Sequence, residues 1–376
     1  MEKEPAAKTS ALPLLSVPAF WPFAIAADLA KKKAQLDAKR LKFLAEEIKI
    51  HTTRPKPATP HRVRLDLRTM VLREYGKPGG LPTLVDAPYA GHTALIADYA
   101  PGQSLVATLM AGGIGHVALT DWKSATLDMK NFDIDNYLEE MIAVIEDLGG
   151  RVNLVGLCQG GWLSAMIAAR FPDKVNSLVI AGAPIDSDAG DGIIKDMAHK
   201  TPVSFYEDLV KLGGGLLRGQ FMLRGWKSMH PEQHYFRNYL DLFEHIDDAA
   251  YLAKSEQFYI WYETTVDLPG RWYLQAITQL FKENRFAKGE FVGLGRTLNL
   301  KNITCPLYLL GGAGDDITTP EQVINAKNYV GTPKERIVEK IAPGGHIGLF
   351  MGSRTLKETW PEIAKWICAQ TPSASA

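Results

Sequence analysis

Val152-Asn153-Leu154-Val155-Gly156-Leu157-Cys158-Gln159-Gly160-Gly161-Trp162 sets an apolar run against a G-x-C-x-G turn, and Leu163 to Arg170 then continues with helical patterning. Strand, tight turn and helix in direct succession form a nucleophile elbow, where glycines flank the nucleophile because a side chain there would collide with the strained backbone. The nucleophile would be the Cys158 thiol. The turn sets it at a helix N-terminus, whose partial positive charge favours an anion, and leaves the Gln159 amide to face a developing oxyanion. The plainer reading is a small buried cysteine in a Gly-rich turn, since unpaired cysteines are commonly buried. The strand, the helix and the paired glycines together favour the chemical reading.

A thiol nucleophile needs a base, and the base needs an acid to orient it. After the apolar run Pro306 to Leu310 comes Gly311-Gly312-Ala313-Gly314-Asp315-Asp316-Ile317-Thr318-Thr319-Pro320, a Gly-rich strand end that would present an acid. Further on, Ala342-Pro343-Gly344-Gly345-His346-Ile347-Gly348 places a histidine in a loop of small residues. Nucleophile, then acid, then histidine is the chain order of the α/β-hydrolases. Only one of the adjacent Asp315 and Asp316 can face the imidazole, and the spacing to Ile317 and Pro320 favours Asp315. A second oxyanion donor is expected in Ala87-Pro88-Tyr89-Ala90-Gly91-His92, from the Tyr89 or Ala90 amide. His92 and Trp162 are candidates for the pocket wall, with a hydrogen-bonded structural role as the alternative for His92.

The surrounding sequence agrees with that fold class. Short apolar runs at Thr83 to Val85, His116 to Thr120, Ser177 to Ile180 and Arg336 to Val338 alternate with helical patterns, and Val63, Leu65 and Leu67 alternate as in a strand. Strands buried on both faces and separated by helices mean a mostly parallel central sheet. Residues 190–290 lack clear strand runs and crowd Trp226, Tyr235, Tyr239, Phe243, Tyr251, Phe258, Trp261, Tyr262, Trp272, Tyr273 and Phe281 onto helix-like sequence. This predicts a helical cap inserted in the core of 61–189 and 291–376, with most of the aromatics serving ordinary packing. Residues 1–60 read as an N-terminal arm. There, Leu29, Leu36, Leu41, Leu44 and Ile48 give the apolar face of an amphipathic helix, and Pro55, Pro57 and Pro60 mark a linker. Pro13, Pro18 and Pro22 break the uncharged run from Thr9 to Ala27, which argues against a spanning helix or a signal peptide ending at Ala24-Ile25-Ala26 and for an arm that docks on a membrane surface or a partner.

Composition narrows the classes of function. Of 376 residues, 46% are hydrophobic and 22% charged, the balance of a folded enzyme, and 42 Lys plus Arg cancel 42 Asp plus Glu, so no basic field for nucleic acid is expected. Cys158, Cys305 and Cys368 are odd in number and form no C-x-x-C pair, so neither a disulfide framework nor a zinc site is expected, and the chain reads as cytoplasmic.

With these residues in view, 70–370 resembles the polyhydroxyalkanoate synthases, most closely the short class III type, and the related intracellular depolymerases. The resemblance rests on Gly156-Leu157-Cys158-Gln159-Gly160-Gly161, Phe171-Pro172-Asp173-Lys174-Val175, Lys288-Gly289-Glu290, Leu300 to Pro306, and Pro343-Gly344-Gly345-His346-Ile347-Gly348. It implies that Cys158 carries the growing acyl chain, that His346 activates it or the incoming hydroxyl, and that Asp315 supports the histidine. It implies no cofactor, with a CoA thioester as substrate. The expected partners are 3-hydroxyacyl-CoA or the polyester, a granule or membrane surface, and a homodimer mate or accessory subunit. Ala90-Gly91-His92 and Thr120-Asp121-Trp122 look more like the depolymerases, so synthesis and hydrolysis both stand as expectations.

Overall fold

The computed structural model describes residues 21–230, 232 and 237–371, with side chains from Leu29 onward. The proline-rich run before residue 21, read above as a docking arm, lies outside the described residues, as does Tyr235.

Eight strands form the central sheet: β1 (Arg62–Asp66), β2 (Met70–Gly76), β3 (Thr83–Asp86), β4 (His116–Trp122), β5 (Val152–Leu157), β6 (Val175–Ala181), β7 (Leu307–Gly312) and β8 (Ile337–Ala342). Their spatial order is β1-β2-β4-β3-β5-β6-β7-β8. The first two pairings are antiparallel and all later ones parallel. This is the α/β-hydrolase fold. The helices that cover the sheet include α2 (Leu105–Ala111), α3 (Ile134–Asp147) and α4 (Gln159–Arg170).

β5 and β6 are buried along their whole length, as their β-branched and leucine content dictates. Their polar members are satisfied in one cluster, where Asn153 Oδ1 accepts from Asn176 Nδ2 and Ser177 Oγ, each at 2.8 Å. The strand order reverses around β3 and β5, so the carboxyl end of β5 opens at the switch point where such sheets bind ligands.

β2 is absent from the expectations above because Arg73 and Glu74 interrupt its apolar run. In the fold both charges are paired at long range. The buried Glu74 carboxylate meets Arg62, Arg64 Nη1 at 2.8 Å and His116 Nε2 at 2.8 Å, while Arg73 Nε reaches Asp121 at 2.9 Å.

Between β6 and β7 the chain runs through helices α5 (Ile193–Lys200), α6 (Val203–Leu212), α7 (Gly219–Met229), α8 (Asn238–Glu244), α9 (Ala249–Glu263) and α10 (Gly270–Gln275). α10 continues as π-helix over Ala276–Lys282. The last part of the core adds α11 (Pro320–Ile324), α12 (His346–Met351), α13 (Ser353–Glu358) and α14 (Trp360–Gln370).

The N-terminal helix α1 (Trp21–Thr52) forms, and the positions read as its apolar face stay exposed. Leu29, Leu36, Leu41, Leu44 and Ile48 are 41–68% exposed. The helix instead rests on α8 and α9 through Phe43 and Ile50, which join a small cluster with Leu242, Ile246 and Ile260, and through Lys49–Glu256 at 2.6 Å. Helical periodicity correctly marks the element; which stripe meets the body depends on a surface some 200 residues away in sequence. No helix of the described residues is long and apolar enough to cross a membrane.

Candidate active site

Cys158 occupies the step between β5 and α4 with φ 51° and ψ −118°. A non-glycine residue there costs on the order of 1–3 kcal/mol and is held only by its surroundings. Three glycines make the hold. A Cβ on Gly160 would stand 2.1 Å from Asp86 O, one on Gly161 would stand 2.3 Å from Ala183 Cβ, and one on Gly156 would stand 2.5 Å from Gly161 Cα. The Cys158 amide donates to Ala181 O at 2.8 Å, fixing the turn to β6.

β7 and β8 bring the acid and the base together. They pair in parallel register from Leu307↔Ile337 to Gly312↔Ala342, so the loops that follow them emerge side by side. Ala313 N donates to Ala342 O at 2.8 Å and Gly314 N to Gly344 O at 3.0 Å, which zips the two loops. Three residues past β7 stands Asp315, and four past β8 stands His346 at the start of α12.

His346 Nδ1 is 2.7 Å from Asp315 Oδ2, and the carboxyl group is fully buried. The other oxygen, Asp315 Oδ1, accepts from the amides of Ile317 at 3.1 Å and Thr318 at 2.9 Å. Burial works against a charge on His346, yet the sulfur of Cys158 and the carboxylate of Asp315, by charge and hydrogen bonding, outweigh it and raise its affinity for a proton. Asp316 takes another partner, with its Oδ2 2.8 Å from His230 Nε2.

Cys158 and His346 open onto an apolar cavity of about 320 Å³, walled by Ile96, Trp226, Trp261, Tyr262, Ile347 and Phe350, with Asp316 and His230 at its edge. This is within the range of small-molecule sites. Gln159 is the first residue of α4, where position alone leaves the amide without an intrahelical partner. Pro88 and Ala90 also line the cavity.

One side chain does not sit where the sequence places it. Trp162 is 1% exposed and lies against Trp272, with ring centres 5.8 Å apart, in the core beneath α4 and away from the cavity wall. Tyr89 turns its ring into the same aromatic group, against Trp122, Tyr137 and Trp272, and donates from its hydroxyl to Asp267 O at 2.9 Å. A helix or loop position alone does not say which side a large ring will take. His92 does line the cavity, but as a structural piece: it stacks against both Trp261 and Tyr262, its Nε2 faces Tyr262 O at 3.1 Å, and burial pushes its pKa down to about 4.

Beneath the elbow lies a group that the sequence did not single out. Asp86, at the end of β3, is fully buried; its carboxyl meets Thr120 Oγ1 at 3.2 Å and Ser164 Oγ, on α4, at 3.1 Å. Burial pushes its pKa up to about 8, so the acid is largely neutral near pH 7. Thr120 Oγ1 in turn accepts from Ala87 N at 3.0 Å, which ties the loop at the cavity floor to the sheet. An isolated aspartate in an apolar strand carries no local mark of such a role.

Residues 41–367 match the family model described as "Protein of unknown function (DUF3141)". The chain belongs to this DUF3141 family. The DUF3141 chain is also 28% identical over 313 residues to the poly(3-hydroxyalkanoate) polymerase subunit PhaC of Allochromatium vinosum, covering 79% of this chain and 85% of that one. The subunit of the same name from Haloferax mediterranei is 25% identical over 301 residues, covering 78% of this chain but 58% of its own length. The DUF3141 chain thus spans little more than half of that relative. Among solved structures, a monoacylglycerol lipase from Paleococcus ferrophilus superposes with a TM-score of 0.52 at 17% identity, covering 81% of this chain and 100% of the lipase, a likeness of fold.

Proposed function

We propose that this chain is a cysteine-dependent acyltransferase of polyhydroxyalkanoate metabolism, which polymerises 3-hydroxyacyl-CoA through an acyl group held on Cys158. The observation that carries the reading is the placing of Cys158, at a strained elbow on an apolar cavity, with a His346–Asp315 pair at the same cavity. The relatives named as poly(3-hydroxyalkanoate) polymerase subunits support the substrate class.

In this mechanism the Cys158 sulfur, its proton passed to His346, attacks the thioester carbonyl of 3-hydroxyacyl-CoA. The carbonyl oxygen becomes an oxyanion, stabilised by the Gln159 amide and an amide of the loop around Ala90. The C–S bond to CoA breaks, and His346 returns its proton to the departing thiolate. One thioester has replaced another, at little cost in free energy. His346 then takes the proton of the 3-hydroxyl of the next unit, whose oxygen attacks the acyl-Cys158 carbonyl; the new oxoester forms as the Cys158 sulfur leaves. Asp315 fixes the imidazole and supports its positive form at each proton transfer. No cofactor enters these steps. Residues 190–290 serve as the cap, and its aromatic walls keep water from the thioester. The setting this implies is the cytoplasm, at the surface of the polyester.

Hydrolysis of the polyester by the same three residues is the competing outcome. The features that favour it are His92 and Thr120-Asp121-Trp122, and structural bonds engage all four. His92 is stacked and bonded to Tyr262 O, Thr120 holds Ala87 N, Asp121 pairs with Arg73, and Trp122 Nε1 donates to Ala87 O at 2.8 Å. These engagements support the acyltransferase reading. Incubation with 3-hydroxybutyryl-CoA, and separately with amorphous polymer, tests the choice. Release of CoA with the acyl group retained on protein or oligomer is expected; release of free 3-hydroxybutyrate from polymer with no turnover of the CoA ester would reverse it.

A further inference from the structure

A second cavity shares a wall with the first. It encloses about 500 Å³ under the helical segment, among α5, α6, α7, α10 and its π-helical continuation, lined by Phe205, Leu209, Phe221, Met222, Tyr273 and Phe281. Its lining is overwhelmingly aliphatic and aromatic, and Gln159, the residue after Cys158, belongs to it.

Helix α7 stands between the two spaces. Phe221 and Met222 face the second cavity, Met229 and His230 face the first, and Trp226 lines both. The Trp226 indole is tethered, with Nε1 donating to Ala90 O at 3.3 Å, on the loop beside Cys158. Removing that one side chain would join the spaces into a single apolar chamber running from Cys158 into the helical segment.

We infer that the second cavity is a binding site for an aliphatic chain, and that Trp226 is the partition that sets how long an acyl group the Cys158 site accepts. The part of this that concerns the acyl group on Cys158 rests on the reading under Proposed function; occupancy of the cavity by an aliphatic chain does not. A short acyl group fits within the first space. A longer one enters the second only past the Trp226 ring, and it would gain there the burial of each added methylene, worth about threefold to fourfold in affinity apiece.

The test separates the two layers. Dodecanoate and butyrate are titrated by calorimetry into the full chain carrying Cys158→Ala, where no acyl-enzyme can form. Dodecanoate should bind at least about tenfold more tightly than butyrate. Met197→Trp, at a half-exposed position on the lining, and Ala276→Phe, deeper within it, should each weaken dodecanoate by about tenfold or more at an unchanged melting temperature. Two filling variants guard against one failing to fold. With Cys158 restored, Trp226→Ala should raise the ratio of dodecanoyl to butyryl transfer from CoA onto Cys158 by about tenfold. No dodecanoate binding, or binding that both filling variants leave intact, would overturn the chain site. An unchanged transfer ratio in Trp226→Ala would overturn the partition. If dodecanoate binds as expected while no CoA ester ever acylates Cys158, the cavity assignment stands and the acyltransferase reading falls.

Discussion

His346 Nδ1 lies 2.7 Å from Asp315 Oδ2, while the adjacent carboxylate, Asp316, lies 2.8 Å from His230 on the helical segment. Two neighbouring aspartates thus take different partners. Asp315 is buried and fixed by two backbone amides, and Asp316 is half-exposed at the edge. Asp315→Asn should therefore lower turnover by about 100-fold or more, because the imidazole loses both its orientation and its charge partner. Asp316→Asn should cost less than about tenfold, since it breaks an exposed pair of small energetic worth. Steady-state release of CoA from 3-hydroxybutyryl-CoA by the two variants decides this, and a larger loss at Asp316 would exchange their roles.

The proton on His346 gives a second expectation. Burial opposes its charge, but Cys158 and Asp315 raise its pKa above the ordinary histidine value, to about 10. A raised folded-state pKa means that its contribution to stability is fully present below about pH 6.5 and is lost as pH rises through the folded value. The ring resonances of His346, followed by NMR, should still report the imidazolium at pH 8, and Asp315→Asn should move the midpoint downward. A wild-type midpoint near 6.5, unchanged in the variant, would contradict the charge assignment.

Asp86 predicts an opposite use of burial. Its carboxyl is held up to about 8, so the folded chain binds a proton that the unfolded chain releases near pH 4. That contribution to stability is present below about pH 4 and fades as pH rises through 8. Asp86→Asn keeps the shape and removes the titration. The fall in melting temperature between pH 5 and pH 8 should be shallower in the variant than in the wild type; parallel curves would mean that Asp86 is ionised in the fold.

Much of the fold and of the site is legible in the sequence, for a physical reason. The elbow is local: Gly156, Gly160 and Gly161 leave a Cβ no room beside Cys158, and composition alone reports such a demand. The loops with Asp315 and His346 were legible because small residues mark strand ends that approach closely. What escaped depends on distant partners. β2 is hidden because Glu74 finds its partners Arg62, Arg64 and His116 only in the fold. Which stripe of α1 meets the body is not legible locally, because α8 and α9 choose it. Trp162 turns to the core because Trp272, on the helical segment, completes its aromatic group.

The same crowding yields a stability prediction. Gly160→Ala would drive a methyl group to 2.1 Å from the Asp86 carbonyl oxygen, backbone that cannot easily yield. The variant should lose about 2 kcal/mol or more of stability and most of its activity. Thermal melting with circular dichroism reads the first and CoA release the second; a melting temperature within error of wild type would show that the elbow is looser than described.

The most direct test of the central claim is intact-protein mass spectrometry after brief exposure to 3-hydroxybutyryl-CoA. Cys305 is partly buried with its pKa pushed up to about 11, whereas Cys368 is exposed, so the experiment is run on Cys368→Ser to leave Cys158 as the reactive thiol. The account predicts one added hydroxybutyryl mass, mapped by proteolysis to the peptide containing Cys158 and abolished by Cys158→Ala. Undiminished acylation in Cys158→Ala, or no acylation of the parent while CoA is released, would contradict it.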